Sequence, residues 1–418
     1  MNTIISAFGL LGFMVVAWLF SVQRSSINWR VILWGVALQL SFAAFIFLVP
    51  VGSRIFLAVN DFVVMVLDCA ARGSEFVFGF LSKGPGEEGS IGFIFAFQAL
   101  PTIIFFSALI SLLYYCHVMP FVIRLFSRVF TKLMKISGAE ALVAASNIFV
   151  GVESAFTVKP YIGRMTKSEL CTMLTAGMAT VGSNVLALYV FTLKGVFPTI
   201  AGHLVSASIL SAPAAIVMAK LIYPETKTPE TLGWDVKPYY ERPDNIFVAV
   251  IEGSQEGVKV ILGITALLIA ILGLTALVDM FLAMISEQLS LKLLLSYLSY
   301  PFAYMLGVAA EDVPHIAQLI GEKLVMTEVV AYLDLAEMLA DGVLVNPRSA
   351  VIVTYALCGF THVASMAIFV GGIAALAPEK TKELSRVALR ALLAATLACM
   401  MTGSVAGIFY SGETLLLQ

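Results

Sequence analysis

The heptapeptide GMATVGS at residues 177–183 returns as GFTHVAS at residues 359–365, both fitting G-x-x-x-V-x-S. Each copy sits inside an apolar stretch long enough to cross a membrane. Each also follows an apolar segment broken by Gly, Pro and carboxylates. One acid stands out in each broken segment: Glu153, 24 residues before Gly177, and Glu328, 31 residues before Gly359. Irregular backbone at membrane depth survives only where protein or a cavity surrounds it, so the broken segments read as re-entrant hairpins. Hairpin, acid, interrupted span and closing span thus occur twice. With the first unit starting on one side and the second on the other, this is the inverted repeat of secondary transporters.

The rest of the chain agrees. Hydrophobic residues make up 60% of the 418 and charged residues 12%, against roughly 45–50% and 25% in soluble domains. The solvent is therefore lipid. Twenty-five basic and 27 acidic residues leave a net charge of −2, which excludes a nucleic-acid binder driven by bulk charge. Cys69, Cys116, Cys171, Cys358 and Cys399 are scattered, without metal-type spacing, and read as small apolar residues. The four histidines are unclustered, so no zinc site and no cofactor is expected. The first apolar run has no basic residue before it and is long enough to span, unlike a secretory signal.

A hydrocarbon core of roughly 30 Å takes about 20 residues of helix. That rule predicts an all-α integral membrane protein with eight spans, near 2–21, 31–51, 91–118, 169–193, 196–222, 258–285, 349–376 and 391–411. Residues 53–72 place Arg54, Asp61, Asp68 and Arg72 on one helical face, which suits a helix lying in the interface. The hairpins are expected at 136–166 and 293–340. With both termini outside and both hairpins returning to the side they left, 18 of the 25 basic residues fall inside, a strong positive-inside bias. The expected organisation is a scaffold over 1–135, a first transport repeat over 136–222, a polar cytoplasmic connector over 223–257, a sixth span over 258–290 and a second transport repeat over 291–418.

Glu153 and Glu328 cost at least ~2.5–3.5 kcal/mol each at mid-depth if unmatched. Either they cap hairpin helices or pair with Lys159 or Lys323, or they contact a translocated ligand. Asn147 offers a side-chain oxygen beside glycine-flexed backbone, suited to a hard cation or to capping a hairpin tip. Thr180 and Ser183 face a ligand or bond back to the preceding turn. His362 is a satisfied core histidine or a site residue. Glu140, Asp279 and Asp312 lie nearer the predicted surfaces and are assigned structural roles.

The segments FIFAFQALPTIIFFSALISLLYY (93–115), ASNIFVGVESAFTVKPYIGRMTKSEL (145–170), TEVVAYLDL (327–335) and ALCGFTHVASMAIFVGGIAALAPEK (356–380) resemble the concentrative nucleoside transporters of bacteria and animals. The similarity runs in order from 1 to 411. It implies eight spans, an interfacial helix, two hairpins, a homotrimer in the bacterial inner membrane and an elevator-like transport body. It further implies a sodium site from Asn147, Val150, Thr180 and Val181. On the substrate side it implies Glu328 on ribose hydroxyls, with Phe360, Ser365 and the apolar Val185 beside the nucleoside. Two positions depart from the family pattern. The usual G-Q-T-E of the first hairpin is Gly151-Val152-Glu153, one residue shorter and without the amide. The usual asparagine of the seventh span is His362. Glu153 and His362 thus complete the expected substrate set, and they leave open a proton-coupled carrier of an altered or modified nucleoside. Paired aspartates, a Ser–His pair and HExxH are absent from the spans in recognisable spacing, so an intramembrane enzyme is not expected.

Overall fold

The computed structural model describes residues 2–84, 88–344 and 346–410. Positions 1, 85–87, 345 and 411–418, which the predicted ranges include, lie outside the described residues. Among the described residues every regular element is helical, apart from one isolated antiparallel bridge between Ser137 and Leu232.

The chain opens with α1 (Asn2–Leu19), α2 (Trp29–Leu48) and α3 (Pro50–Phe78), and continues through α4 (Phe95–Gln98) and α5 (Pro101–Tyr115). The first repeat then comprises α6 (Val118–Met134), α7 (Gly138–Ser146), a 3-10 arm (Val152–Val158) leading into α8 (Lys159–Ile162), α9 (Lys167–Ala179), α10 (Ser183–Leu193) and α11 (Ile200–Ile222). After α12 (Ile246–Ala283), the second comprises α13 (Leu291–Met305), α14 (Val313–Val325), α15 (Glu328–Ala340), α16 (Pro347–Leu357), α17 (Val363–Leu376) and α18 (Thr381–Phe409). Both repeats run in one order: amphipathic helix, hairpin, broken span, closing span. Seven helical segments among the described residues are long and apolar enough to cross a membrane. The remaining expected span, 349–376, is present as α16 and α17, of 11 and 14 residues, each too short to cross alone.

Several expected boundaries move. Residues 119–134, which no predicted span or hairpin covers, belong to α6, which buries Ile123, Ser127, Phe130 and Met134 at helical spacing and leaves Arg128 and Lys132 exposed. Residues 291–305 were expected as part of the second hairpin, which instead occupies α14 and α15. Helix α12 begins at Ile246 rather than 258, where Asn245 Oδ1 accepts from the N–H groups of Phe247 and Val248 at 2.9 and 3.0 Å. Its 38 residues reach about 57 Å, well beyond a bilayer core. The helix expected in the interface is also longer than 53–72, since Pro50 starts it with a preset φ. Phe56 of α3 stacks edge-on against His203 of α11, 4.9 Å between centroids, while Arg54, Asp61, Asp68 and Arg72 stay exposed.

Gly253 and Gly257 let α12 lie directly on α5. A Cβ on Gly257 would stand 2.7 Å from Ile104 Cα, and one on Gly253 2.7 Å from Ser107 O. Such small-residue spacing is how membrane helices approach closely.

Ion pairs tie the connector to the first repeat. The connector after α11 straps the first hairpin and α6: Asp235 takes Arg124 and Arg128 at 2.9 and 3.0 Å, Glu230 takes Arg164 at 2.7 Å, and Glu241 takes Lys159 at 3.5 Å. The Arg124 guanidinium, with Arg128 beside it, holds the Asp235 carboxyl below the usual range. Arg124, Arg128, Lys159 and Arg164, all expected on the inner side, therefore meet one segment. Of those expected outside, Lys194 pairs with Asp68 of α3 at 3.0 Å and Lys292 with Asp334 at 2.7 Å.

Candidate functional site

A cavity of about 410 Å³ lies between the two hairpin tips, the second halves of the broken spans and α12. All six expected substrate residues line it: Glu153, Val185, Glu328, Phe360, His362 and Ser365. Its size is in the range of small-molecule pockets. One end is polar. The remaining wall is largely apolar, from Val260, Ile264 and Leu268 of α12 with Val152, Ile368 and Phe369.

Glu328 anchors the polar end. It is the first residue of α15, so its carboxylate lies at a helix N-terminus, where negative charge is favoured. The preceding Thr327 holds φ at +102°, a conformation strongly disfavoured for a β-branched residue. Strain of that kind, of order 1–3 kcal/mol, persists where surrounding structure fixes it and clusters at ligand clamps. Tyr189 Oη donates to Glu328 Oε1 at 2.8 Å. His362 Nε2 stands 3.2 Å from Oε2, at ion-pair distance but without the alignment of a hydrogen bond. Oε2 thus keeps its accepting capacity at the cavity.

His362 is the N-cap of α17. Its Nδ1 accepts from Ser365 N–H at 3.1 Å, and its own N–H donates to Ser365 Oγ at 3.3 Å. A ring whose Nδ1 accepts carries its proton on Nε2 when neutral, the tautomer assigned by this hydrogen-bond network. Protonating Nδ1 would break the cap. The Ser365 hydroxyl is turned inward, its one proton within reach of the carbonyls of Phe360 and His362, so it shapes the break as well as lining the cavity. Thr180 is the C-cap of α9 whereas His362 caps α17. The repeated heptapeptide therefore places these two residues on opposite sides of their breaks.

Glu153 follows the tip of the first hairpin, in the seven-residue 3-10 arm, a length uncommon for that helix. Lys159 pairs with Glu241, so the pairing weighed for Glu153 is not made. Lys323 likewise forms no pair with Glu328. Val185 contributes an apolar wall from α10.

The expected cation residues lie behind the cavity, at the junction of the first hairpin tip with the α9–α10 break. Ser183 N–H donates to Phe149 O at 2.9 Å and Ser208 Oγ to Ile148 O at 2.7 Å, fastening the tip to α10 and α11. Asn147 is fully buried. Its Nδ2 donates to Val143 O at 3.0 Å, while its Oδ1 has no hydrogen-bond partner. Thr180 Oγ1 donates back to Ala176 O at 2.9 Å, which leaves its lone pairs able to accept. Val150 and Val181 are buried beside them. An orphaned buried oxygen among hydroxyl and backbone oxygens suits a hard monovalent cation.

Three features were missed. Tyr189 is one aromatic among many in an apolar run, and only folding sets it opposite Glu328. Thr327 carries no sequence mark of its strain. Glu256 and Lys259 of α12 line the cavity and pair with each other at 2.6 Å; two charges one turn apart in an apolar helix were the available signal. Glu140, expected near a surface, is instead buried against Lys220.

The family model described as Na+ dependent nucleoside transporter C-terminus matches residues 203–407, its N-terminal counterpart 8–81, and a model described as Nucleoside recognition 96–195. Nucleoside permease NupC of Helicobacter pylori is 34% identical over 98% of both chains. The chain belongs to the concentrative nucleoside transporter family. Solute carrier family 28 member 3 of Rattus norvegicus is 36% identical over 97% of this chain, which spans 58% of that longer protein. The structure of CNTnw in an inward-facing substrate-bound state superposes with a TM-score of 0.89 at 31% identity, over 98% of each chain. The names of these relatives are those of transporters and permeases, not enzymes, and the several apolar helices make this a multi-pass membrane protein.

Proposed function

We propose that the chain imports nucleosides by sodium symport across the bacterial inner membrane, working as a homotrimer by an elevator-type movement. The observation that carries this is the open Oε2 of buried Glu328 at the polar end of an otherwise mostly apolar cavity. A ribose diol meets the carboxylate and a flat base meets Val185, Phe360 and the α12 wall. The hairpins and broken spans (136–222 and 291–410) would move as the transport body against the scaffold of α1–α6 and α12. The long apolar surface of α12, with Ile269, Leu274 and Met280 exposed, supports contact with lipid or further copies. The basic clustering around the connector supports a cytoplasmic position for that end and both termini outside.

The Asn147 oxygen, with Val150, Thr180 and Val181, would hold the coupling sodium. Asn147→Leu and Thr180→Val should each reduce sodium-stimulated nucleoside uptake about tenfold or more, a coupling loss of the usual size between linked sites. Uptake in choline should be unaffected. Wild-type uptake equal in sodium and choline, but driven by a pH gradient, would favour proton coupling through Glu153 or His362.

His362→Asn tests the substrate end. Asparagine can keep the cap, accepting from Ser365 N–H, but is too short to reach Glu328. The substituted protein should accumulate and melt like wild type while its ranking of ribonucleosides and deoxynucleosides changes in a competition assay. An unchanged ranking would make His362 a cap and nothing more.

A further inference from the structure

Lys323 is 1% exposed, on α14 at the second hairpin tip. A buried ammonium is ordinarily matched by a carboxylate, as Lys220 is by Glu140. Lys323 is in none of the ion pairs of the described residues, which engage the neighbouring Glu322 with Lys292 and Glu328 with His362. Its Nζ donates instead to Ala356 O, at 3.0 Å, in the last turn of α16. The final carbonyls of a helix carry about half a negative charge, and α16 stops inside the protein rather than at water. Tyr332 Oη donates to Thr354 O at 2.8 Å and Cys399 Sγ to Cys358 O at 3.1 Å. Among the described residues, the ammonium is the only fully charged donor to these carbonyls.

The corresponding half-helix of the first repeat, α9, also ends buried, but with neutral donors alone among the described residues. Ala176 O takes the Thr180 hydroxyl, and Ala179 O has at most a share, at 3.7 Å, of the one Cys399 thiol proton that lies closer to Cys358 O. Its hairpin tip brings the unsatisfied Asn147 Oδ1. Two equivalent helix ends thus face two hairpin tips. Unpartnered buried oxygens occur at both, Asn147 Oδ1 at the first and Thr327 Oγ1 and Thr361 Oγ1 at the second, but a fixed cation stands only at the second among the described residues.

We propose that Lys323 is the second repeat's resident cation, a tethered ammonium at the half-helix terminus that in the first repeat is left to an exchangeable sodium. This rests on the sodium reading of the Asn147 site. It makes docking of the second hairpin on α16 independent of the ion gradient and leaves only the first hairpin ion-sensitive.

The test is nucleoside uptake by proteoliposomes holding wild type, Lys323→Met, Lys323→Arg or Lys323→Ala, with sodium or choline chloride and with or without methylammonium chloride. Met should lose about tenfold or more of the uptake, and Arg, which keeps the charge, should retain most of it. Ala leaves room for a small cation: methylammonium should restore its uptake but not that of Met. Packing alone would not give that difference. Met equal to wild type, Arg as impaired as Met in uptake or in accumulation, or no rescue of a folded Ala variant would each overturn the proposal. The two readings fail separately. Wild-type uptake indifferent to sodium, with Ala still rescued, removes the exchangeable sodium and keeps the tethered cation. Sodium-dependent wild type with an unaffected Met variant does the reverse.

Discussion

Glu328→Gln should bind nucleosides roughly ten- to a hundredfold more weakly than wild type, the span set by losing one charge-assisted hydrogen bond of about 1.5–3 kcal/mol. The amide is isosteric, so the fold should persist. It retains one acceptor and converts the other into a donor. If the amide oxygen serves Tyr189 Oη, the ligand hydroxyl meets an NH2 group; if it is turned to the ligand, the tyrosine bond held at 2.8 Å is lost. A 2′,3′-dideoxynucleoside should be a poor ligand of wild type and should lose little further affinity on the substitution. Isothermal titration of purified protein with ribo and dideoxy forms measures both effects. Equal affinities of the two forms for wild type would remove Glu328 from the sugar.

Gly359→Ala should prevent the protein from accumulating in folded form. Gly359 holds φ at +138°, a region essentially confined to glycine, at a cost of about 1–3 kcal/mol for other residues. A Cβ there would also stand 2.7 Å from Cys399 Sγ and 2.8 Å from Ala179 O. The second contact is backbone, which cannot swing aside, and overpacking of this kind adds typically 1–3 kcal/mol. The sum approaches the whole stability of a marginal domain, about 5–15 kcal/mol. Gly371→Ala is the control, because nothing lies within 4 Å of a Cβ at that position of α17. Size-exclusion profiles of fluorescently tagged variants should show Gly371→Ala as wild type and Gly359→Ala aggregated or absent. A well-folded Gly359→Ala would mean that the crossing of the two breaks is looser than the structure places it.

Gly359 also shows how far the sequence was informative. Glycine, an imidazole and a serine in mid-span announced a broken helix, and the break is there. That it presses on the carbonyl of Ala179, from the other repeat, depends on tertiary packing that no local pattern encodes. The spans were legible because lipid demands long apolar runs. For the same reason α6 and α13 were not: averaged apolarity hides a helix whose apolar residues, such as Ile123, Phe130 and Met134, occupy one stripe among charges. The start of α12 was misplaced because Glu252 and Glu256 look like an end of membrane, although helix formation passes through them without cost. All six residues expected at the substrate site line one cavity, since acids at membrane depth must face something polar. Their partners were less accessible. Tyr189 and the strained Thr327 acquire their roles only when the second hairpin meets α10, and the orphaned oxygen of Asn147 shows only once its amide nitrogen is seen committed to Val143.

The most direct test is uptake of radiolabelled nucleoside into proteoliposomes containing only the purified protein, under an inward sodium gradient with equal pH on both sides. The predicted result is accumulation above the external concentration, abolished when choline replaces sodium or when an ionophore collapses the gradient. No accumulation of any member of a purine, pyrimidine and deoxynucleoside panel, or accumulation indifferent to sodium, would contradict sodium-driven nucleoside transport.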